Sequence, residues 1–130
     1  MYEATTHGIR VKVEPHFLEH ESDPDAGRYF WAYAIEITNE SARTVKLRTR
    51  YWQITDAAGR TEEVRGPGVV GETPVLEPGQ SFKYTSGCPL TEPSGVMVGR
   101  YGMVDAQGDA FEVDVPAFSL DSPDVRPVFN

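Results

Sequence analysis

GPGVVGETPVLEPGQSFKYTSGCPLTEPSGVMVGRYGMV, residues 66–104, decides the fold class. Proline lacks the N–H a helix needs, and glycine costs helix stability at every interior position. Here they recur too often for any helix to form, at Gly66, Pro67, Gly68, Gly71, Pro74, Pro78, Gly79, Gly87, Pro89, Pro93 and Gly95. What remains between them is short and aromatic or β-branched. Ser81–Ser86 carries Phe82 and Tyr84 on one face, and Val96–Val104 runs on past Tyr101. Both read as strands.

Working outward, Ile9, Val11 and Val13 alternate with Arg10, Lys12 and Glu14, and Pro15 weakens the end of that strand. Residues 28–38 alternate most clearly, with Tyr29, Trp31, Tyr33, Ile35 and Ile37 on one face. Asn39-Glu40-Ser41 turns the chain into a strand over 44–55. Asp56-Ala57-Ala58-Gly59 closes a hairpin returned by Arg60–Arg65. A last hairpin joins Val96–Val104 to Ala110–Val115 around Ala106-Gln107-Gly108. The pattern predicts an all-β, seven-stranded antiparallel sandwich of two sheets, of fibronectin type III or immunoglobulin-like type. The Cys…Trp…Cys pattern of antibody domains is absent, which favours the fibronectin variant. Residues 1–130 read as one domain, with 1–7 a flexible N-terminus and 119–130 an irregular tail.

A net charge of −8 disfavours nucleic acid and anionic membranes as partners. The single cysteine, the absence of an apolar leader, and the absence of an apolar run of about 18 residues point to a soluble cytoplasmic chain.

Four features carry candidate chemistry. Gly66-Pro67-Gly68-Val69-Val70-Gly71 matches G-x-G-x-x-G, but the prolines that follow bar the helix a dinucleotide fold requires. Backbone N–H groups of such a loop can still hold an anion, with Gly66, Gly68 and Gly71 as its glycines. Lys46, Arg48 and Arg50 alternate as a positive stripe, with Arg65 nearby, and would serve the same phosphate or nucleotide. Trp52 and Ile54 share their parity. Either a bulge switches faces near Tyr51, or Trp52 lies exposed as a partner-binding anchor. His16 and His20 sit among carboxylates in the 16–25 loop, the makings of a weak divalent-cation site and the one cofactor the residues suggest. Cys88 has no histidine beside it in sequence, and Ser86 lacks the nucleophile elbow, so no catalytic residue is expected. Trp31, Tyr33, Phe82, Tyr84, Tyr101 and Phe111 read as core.

Taken together the chain resembles the bacterial ApaG family over nearly its whole length. Ile9-Arg10-Val11-Lys12-Val13, Ala34-Ile35-Glu36-Ile37-Thr38-Asn39 and Arg50-Tyr51-Trp52-Gln53-Ile54-Thr55-Asp56 carry the resemblance. So do Gly66–Gly71, Pro74-x-Leu76-x-Pro78-Gly79, Phe82-x-Tyr84-x-Ser86-Gly87 and Pro93-x-Gly95-x-Met97-x-Gly99-x-Tyr101. Tyr51 stands where histidine is common and Gln53 where isoleucine is common. The resemblance implies a fibronectin-III-like sandwich, a link to cobalt tolerance and magnesium efflux, and gene proximity to a diadenosine-tetraphosphate hydrolase. Related domains in F-box and polymerase-delta-interacting proteins look like protein-interaction modules. The expectation is therefore a non-enzymatic module for protein partners, with anion or cation binding as alternatives. Exposed sandwich edges leave homodimerisation open.

Overall fold

The structure, a computed structural model, describes residues 1–123. Nine strands form two antiparallel sheets packed face to face. They are β1 (Tyr2–Thr6), β2 (Ile9–Phe17), β3 (Tyr29–Asn39), β4 (Val45–Asp56), β5 (Thr61–Pro67), β6 (Val75–Leu76), β7 (Ser81–Leu90), β8 (Ser94–Asp105) and β9 (Ala110–Asp121). One sheet runs β1-β2-β3-β7. The other runs β5-β4-β8-β9, with β6 beside one end of β4. The alternation seen in the sequence places Trp31, Tyr33, Ile35 and Ile37 inward from the first sheet. Leu47, Trp52, Met97, Tyr101 and Phe118 meet them from the second. Each such large apolar side chain contributes about 2–3 kcal/mol on burial. Trp31 also ties the sheets together, its indole N–H donating to the Asp121 carbonyl at 3.0 Å.

The sandwich architecture agrees with the sequence reading, with nine strands in place of seven. The two extra ones are the weakest in pattern or length. Tyr2-Glu3-Ala4-Thr5-Thr6 has weak alternation, yet it pairs along β2 from Tyr2↔Val13 to Thr6↔Ile9 and is ordered by that partner. β6 is two residues long. Prolines also mislead. β2 continues through Pro15 to Phe17, because β1 stops opposite Val13 and leaves no partner to demand the missing N–H. β7 likewise passes through Pro89, since it is an edge strand. Residues 119–121 belong to β9 and Ser122 and Pro123 follow it; residues 124–130 of the expected tail lie outside the described residues. The acidic loop between β2 and β3 holds two 3-10 turns, Glu19–Glu21 and Pro24–Ala26.

The two long sides of the sandwich differ. On one, β9 closes against β1: the Asp114 N–H donates to Thr6 Oγ1 at 3.2 Å and the Ser119 N–H to the Tyr2 hydroxyl at 3.3 Å. On the other, β5 and β7 are both unpaired edges. The candidate site lies there.

Candidate functional site

The site begins with one extra residue in β4. Leu47 pairs with Met103 and Thr49 with Gly102, so Arg48 is a β-bulge. It shifts the parity of everything after it. Lys46 and Arg48 stay exposed, whereas Arg50 joins Trp52 on the inner face. The predicted positive stripe is thereby divided, and the bulge falls at Arg48, ahead of Tyr51. Trp52 is 4% exposed, so the reading of Trp52 as an exposed partner anchor is corrected.

Arg50 ends its reach on the glycine loop. Its Nη1 donates to the Pro67 carbonyl at 2.8 Å and the Gly68 carbonyl at 3.0 Å. Gly66 leaves room for the guanidinium: a Cβ there would lie 2.9 Å from Nη2 and push the arginine end aside. The loop is a tight hairpin. The Gly68 N–H donates to the Arg48 carbonyl, and Val69 and Glu72 exchange both backbone bonds at 2.8 and 2.9 Å. Val70 and Gly71 turn it with φ of 44° and 80°, the sign pattern of a type I′ turn. Positive φ is a true outlier for a β-branched residue. Val70 is nevertheless kept there, 55% exposed.

Behind this hairpin a cleft of about 390 Å³ opens between the sheets. Trp52, Ile54, Val64, Val69, Val70 and Met97 line it from β4, β5, the hairpin and β8, with Tyr33, Tyr84, Ser86, Cys88 and Pro89 opposite. Its polar groups gather at the Arg50 end. The Tyr84 and Tyr101 hydroxyls meet at 2.5 Å across the sheets. Tyr101 is fully buried and has no other partner, so it donates to Tyr84, whose own O–H is left to point elsewhere. Tyr33 sits opposite Ser86 in the β3–β7 register. Burial raises the phenols of Tyr33, Tyr84 and Tyr101 above the ordinary tyrosine range, so all three remain donors at neutral pH. Glu62 lies at the opposite end, beside Ile54. A comparable hollow on the outer face of the first sheet, about 410 Å³, is lined by Lys12, Glu14, Glu36 and Lys83. Met1, Ala34 and Thr85 also line it, and Glu36 and Lys83 pair within it at 3.3 Å.

The other candidates fall elsewhere. Arg65 is on the outer face of the second sheet, paired with Glu63 at 3.0 Å and stacked 4.6 Å over Tyr51, with Arg100 on the ring at 4.3 Å. Arg48 makes no ion pair among the described residues. His16 is on β2, 3.8 Å from Glu14, and His20 is on an exposed 3-10 turn. No three His, Cys, Asp or Glu side chains converge among the described residues. Cys88 is buried, and loss of solvation with Glu62 nearby pushes its thiol up to about 11, so it stays protonated. Glu62, Tyr33, Tyr84, Tyr101 and Ser86 were not singled out as site residues from sequence. For the three tyrosines the signal is the phenol itself, at inward strand positions where phenylalanine would pack as well: a buried phenol needs a partner.

Comparison with known proteins places this geometry. A family profile described as the ApaG domain matches residues 19–105. The chain belongs to the ApaG family. Protein ApaG of Brucella anthropi is 64% identical over 130 residues, covering 100% of both chains. Protein ApaG of Rhodospirillum centenum is 62% identical over 126 residues, covering 97% of each. A Bordetella pertussis protein of known crystal structure superposes with a TM-score of 0.87 at 44% identity, covering 90% of this ApaG chain and 95% of its own. The C-terminal domain of Wzt, at a TM-score of 0.53 and 12% identity, shares the fold.

Proposed function

We propose that this ApaG domain is a non-catalytic binding module that receives a protein partner in the cleft between β5 and β7. The observation that carries the reading is the cleft itself: apolar side chains of β4, β5 and β8 between a polar cluster at Arg50 and a carboxylate at Glu62, with an unpaired strand on each lip. A strained, exposed Val70 on the lip supports it, since backbone outliers persist where function holds them. The non-catalytic part rests on chemistry. The one thiol is held protonated, and burial keeps the three phenols neutral, so the cleft offers donors and no base poised near neutral pH.

The test blocks the cleft and leaves the rest of the surface alone. Tagged protein recovers its partners from native-cell extract. A Ser86→Trp variant that remains folded should lose them, and Lys12→Ala on the far face should keep them. Equal recovery by Ser86→Trp would refute the reading.

One observation favours a second reading, small-anion binding at the hairpin: the Val70 and Gly71 N–H groups have no protein partner among the described residues. Pyrophosphate at about 100 times its dissociation constant would then add about 2.7 kcal/mol of stability, visible as a thermal shift. The partner reading predicts a flat curve.

A further inference from the structure

The cleft is chemically lopsided, and this restricts what it can hold. At one end every free group is a donor. Arg50 spends Nη1 on the hairpin, while Nε and Nη2 make no hydrogen bond among the described residues. The Tyr84 O–H has no acceptor once Tyr101 donates to it. Tyr33 and Ser86 add hydroxyls alongside. Such a cluster is matched by a carboxylate, which only accepts. The middle is apolar: Trp52, Ile54, Val64, Cys88 and Met97. At the far end Glu62 makes no ion pair among the described residues.

The distance between the charged ends follows from register. Arg50 pairs with Gly66 and Ile54 with Glu62, so four residues of strand separate the positive end from the negative one. At about 3.3 Å per residue that is about 13 Å. An extended chain covers it in about four residues. The open edges of β5 and β7 run along the same length.

We infer that the partner enters as the C-terminus of its chain, with the α-carboxylate on Arg50 and Tyr84, two or three apolar residues against Ile54 and Val64, and a basic residue reaching Glu62. This rests on the partner-binding reading and adds the partner's chemistry. Charge complementarity at both ends also sets the direction of the bound segment. A phosphate could satisfy Arg50, but it would leave the apolar middle and Glu62 unfilled.

The probes are acetylated Lys-Val-Leu-Leu with a free C-terminus, the same peptide as its C-terminal amide, and the Glu-Val-Leu-Leu acid. Each is titrated into the full chain by calorimetry, with backbone amide shifts to locate it. Charge-assisted bonds to the carboxylate predict that the acid binds at least about tenfold more tightly than the amide. Tyr84→Phe, which keeps the ring and the fold, should lose several-fold of that difference, and Arg50→Met nearly all of it. Glu62→Gln should erase the preference for Lys over Glu at the first position. Acid and amide binding equally would overturn the carboxylate inference while leaving the cleft a partner site. Hexanoate displacing the peptide at equal concentration would also overturn it. So would failure of every peptide to bind; if Ser86→Trp then retains its partners too, the reading beneath falls with it.

Discussion

Replacing Val70 by asparagine should make this domain more stable, although Val70 is an apolar residue in a tight hairpin. Its φ is 44°, and an L-residue in that region costs about 1–2 kcal/mol, with a β-branched side chain at the upper end. Asparagine adopts the region readily, and Asn-Gly is the preferred sequence for a type I′ turn. The loss to set against this is small. Val70 is 55% exposed, so less than half of its side chain is covered, and full burial of a valine contributes about 1.5 kcal/mol. Less than half of that, about 0.7 kcal/mol, is lost. The net gain is about 1 kcal/mol, or a rise in Tm of about 4 °C for a domain of this size. Differential scanning calorimetry with parallel urea titrations reads it directly. The same variant removes an apolar side chain from the lip of the cleft, so partner binding should weaken as stability rises. An unchanged or lowered Tm would refute the account of Val70 as strain retained for function.

Three further outcomes follow from named contacts. A Cβ on Gly99 would stand 2.3 Å from the Tyr51 carbonyl and 2.7 Å from Trp52, so Gly99→Ala should destabilise by about 3 kcal/mol in urea titration; a change near zero contradicts the packing described. Asp105 accepts N–H bonds from Gln107 and Asp109 at 3.0 Å and from Arg43 at 3.1 Å, and these hold its carboxyl below the usual range. Because the folded value is the lower one, its stabilisation is complete above about pH 4 and fades as pH falls through the lowered value. Asp105→Asn should therefore flatten the acid limb of Tm against pH; an unchanged limb contradicts this. With its thiol at about 11, Cys88 is about one thousandth thiolate at pH 8, so Ellman's reagent should label it only as the protein unfolds. Rapid labelling of the native state would place Cys88 in a different environment.

How far the sequence carried depends on where each instruction is written. β3 is legible because Trp31, Tyr33, Ile35 and Ile37 alternate without interruption. The β4–β5 and β8–β9 hairpins are legible because Asp56–Gly59 and Ala106–Gly108 announce their turns. β1 is not, since its order comes from β2 and not from its own pattern. The bulge is half legible. Leu47 and Trp52 are both buried yet five positions apart, an odd interval that a regular strand cannot satisfy. The sequence leaves a choice between a bulge near Tyr51 and an exposed Trp52; burial of Trp52 decides for the bulge, and pairing with β8 puts it at Arg48. The cleft is hidden for a different reason. Arg50, Glu62 and Tyr84 come from three strands, and their meeting depends on which two edges the topology leaves open. The glycine motif did mark the right place. It marked a turn pinned by Arg50, with the Gly68 and Val69 N–H groups bonded within the protein.

The central claim is that the β5–β7 cleft receives a protein partner, and site-specific photo-crosslinking in living cells tests it most directly. A benzophenone amino acid placed at Val70, on the lip, should yield one discrete crosslinked species. The same group at Glu3, on the opposite edge strand, should not, and Ser86→Trp should abolish the species formed from Val70. A species that forms equally from Glu3, or that survives Ser86→Trp, would contradict the account.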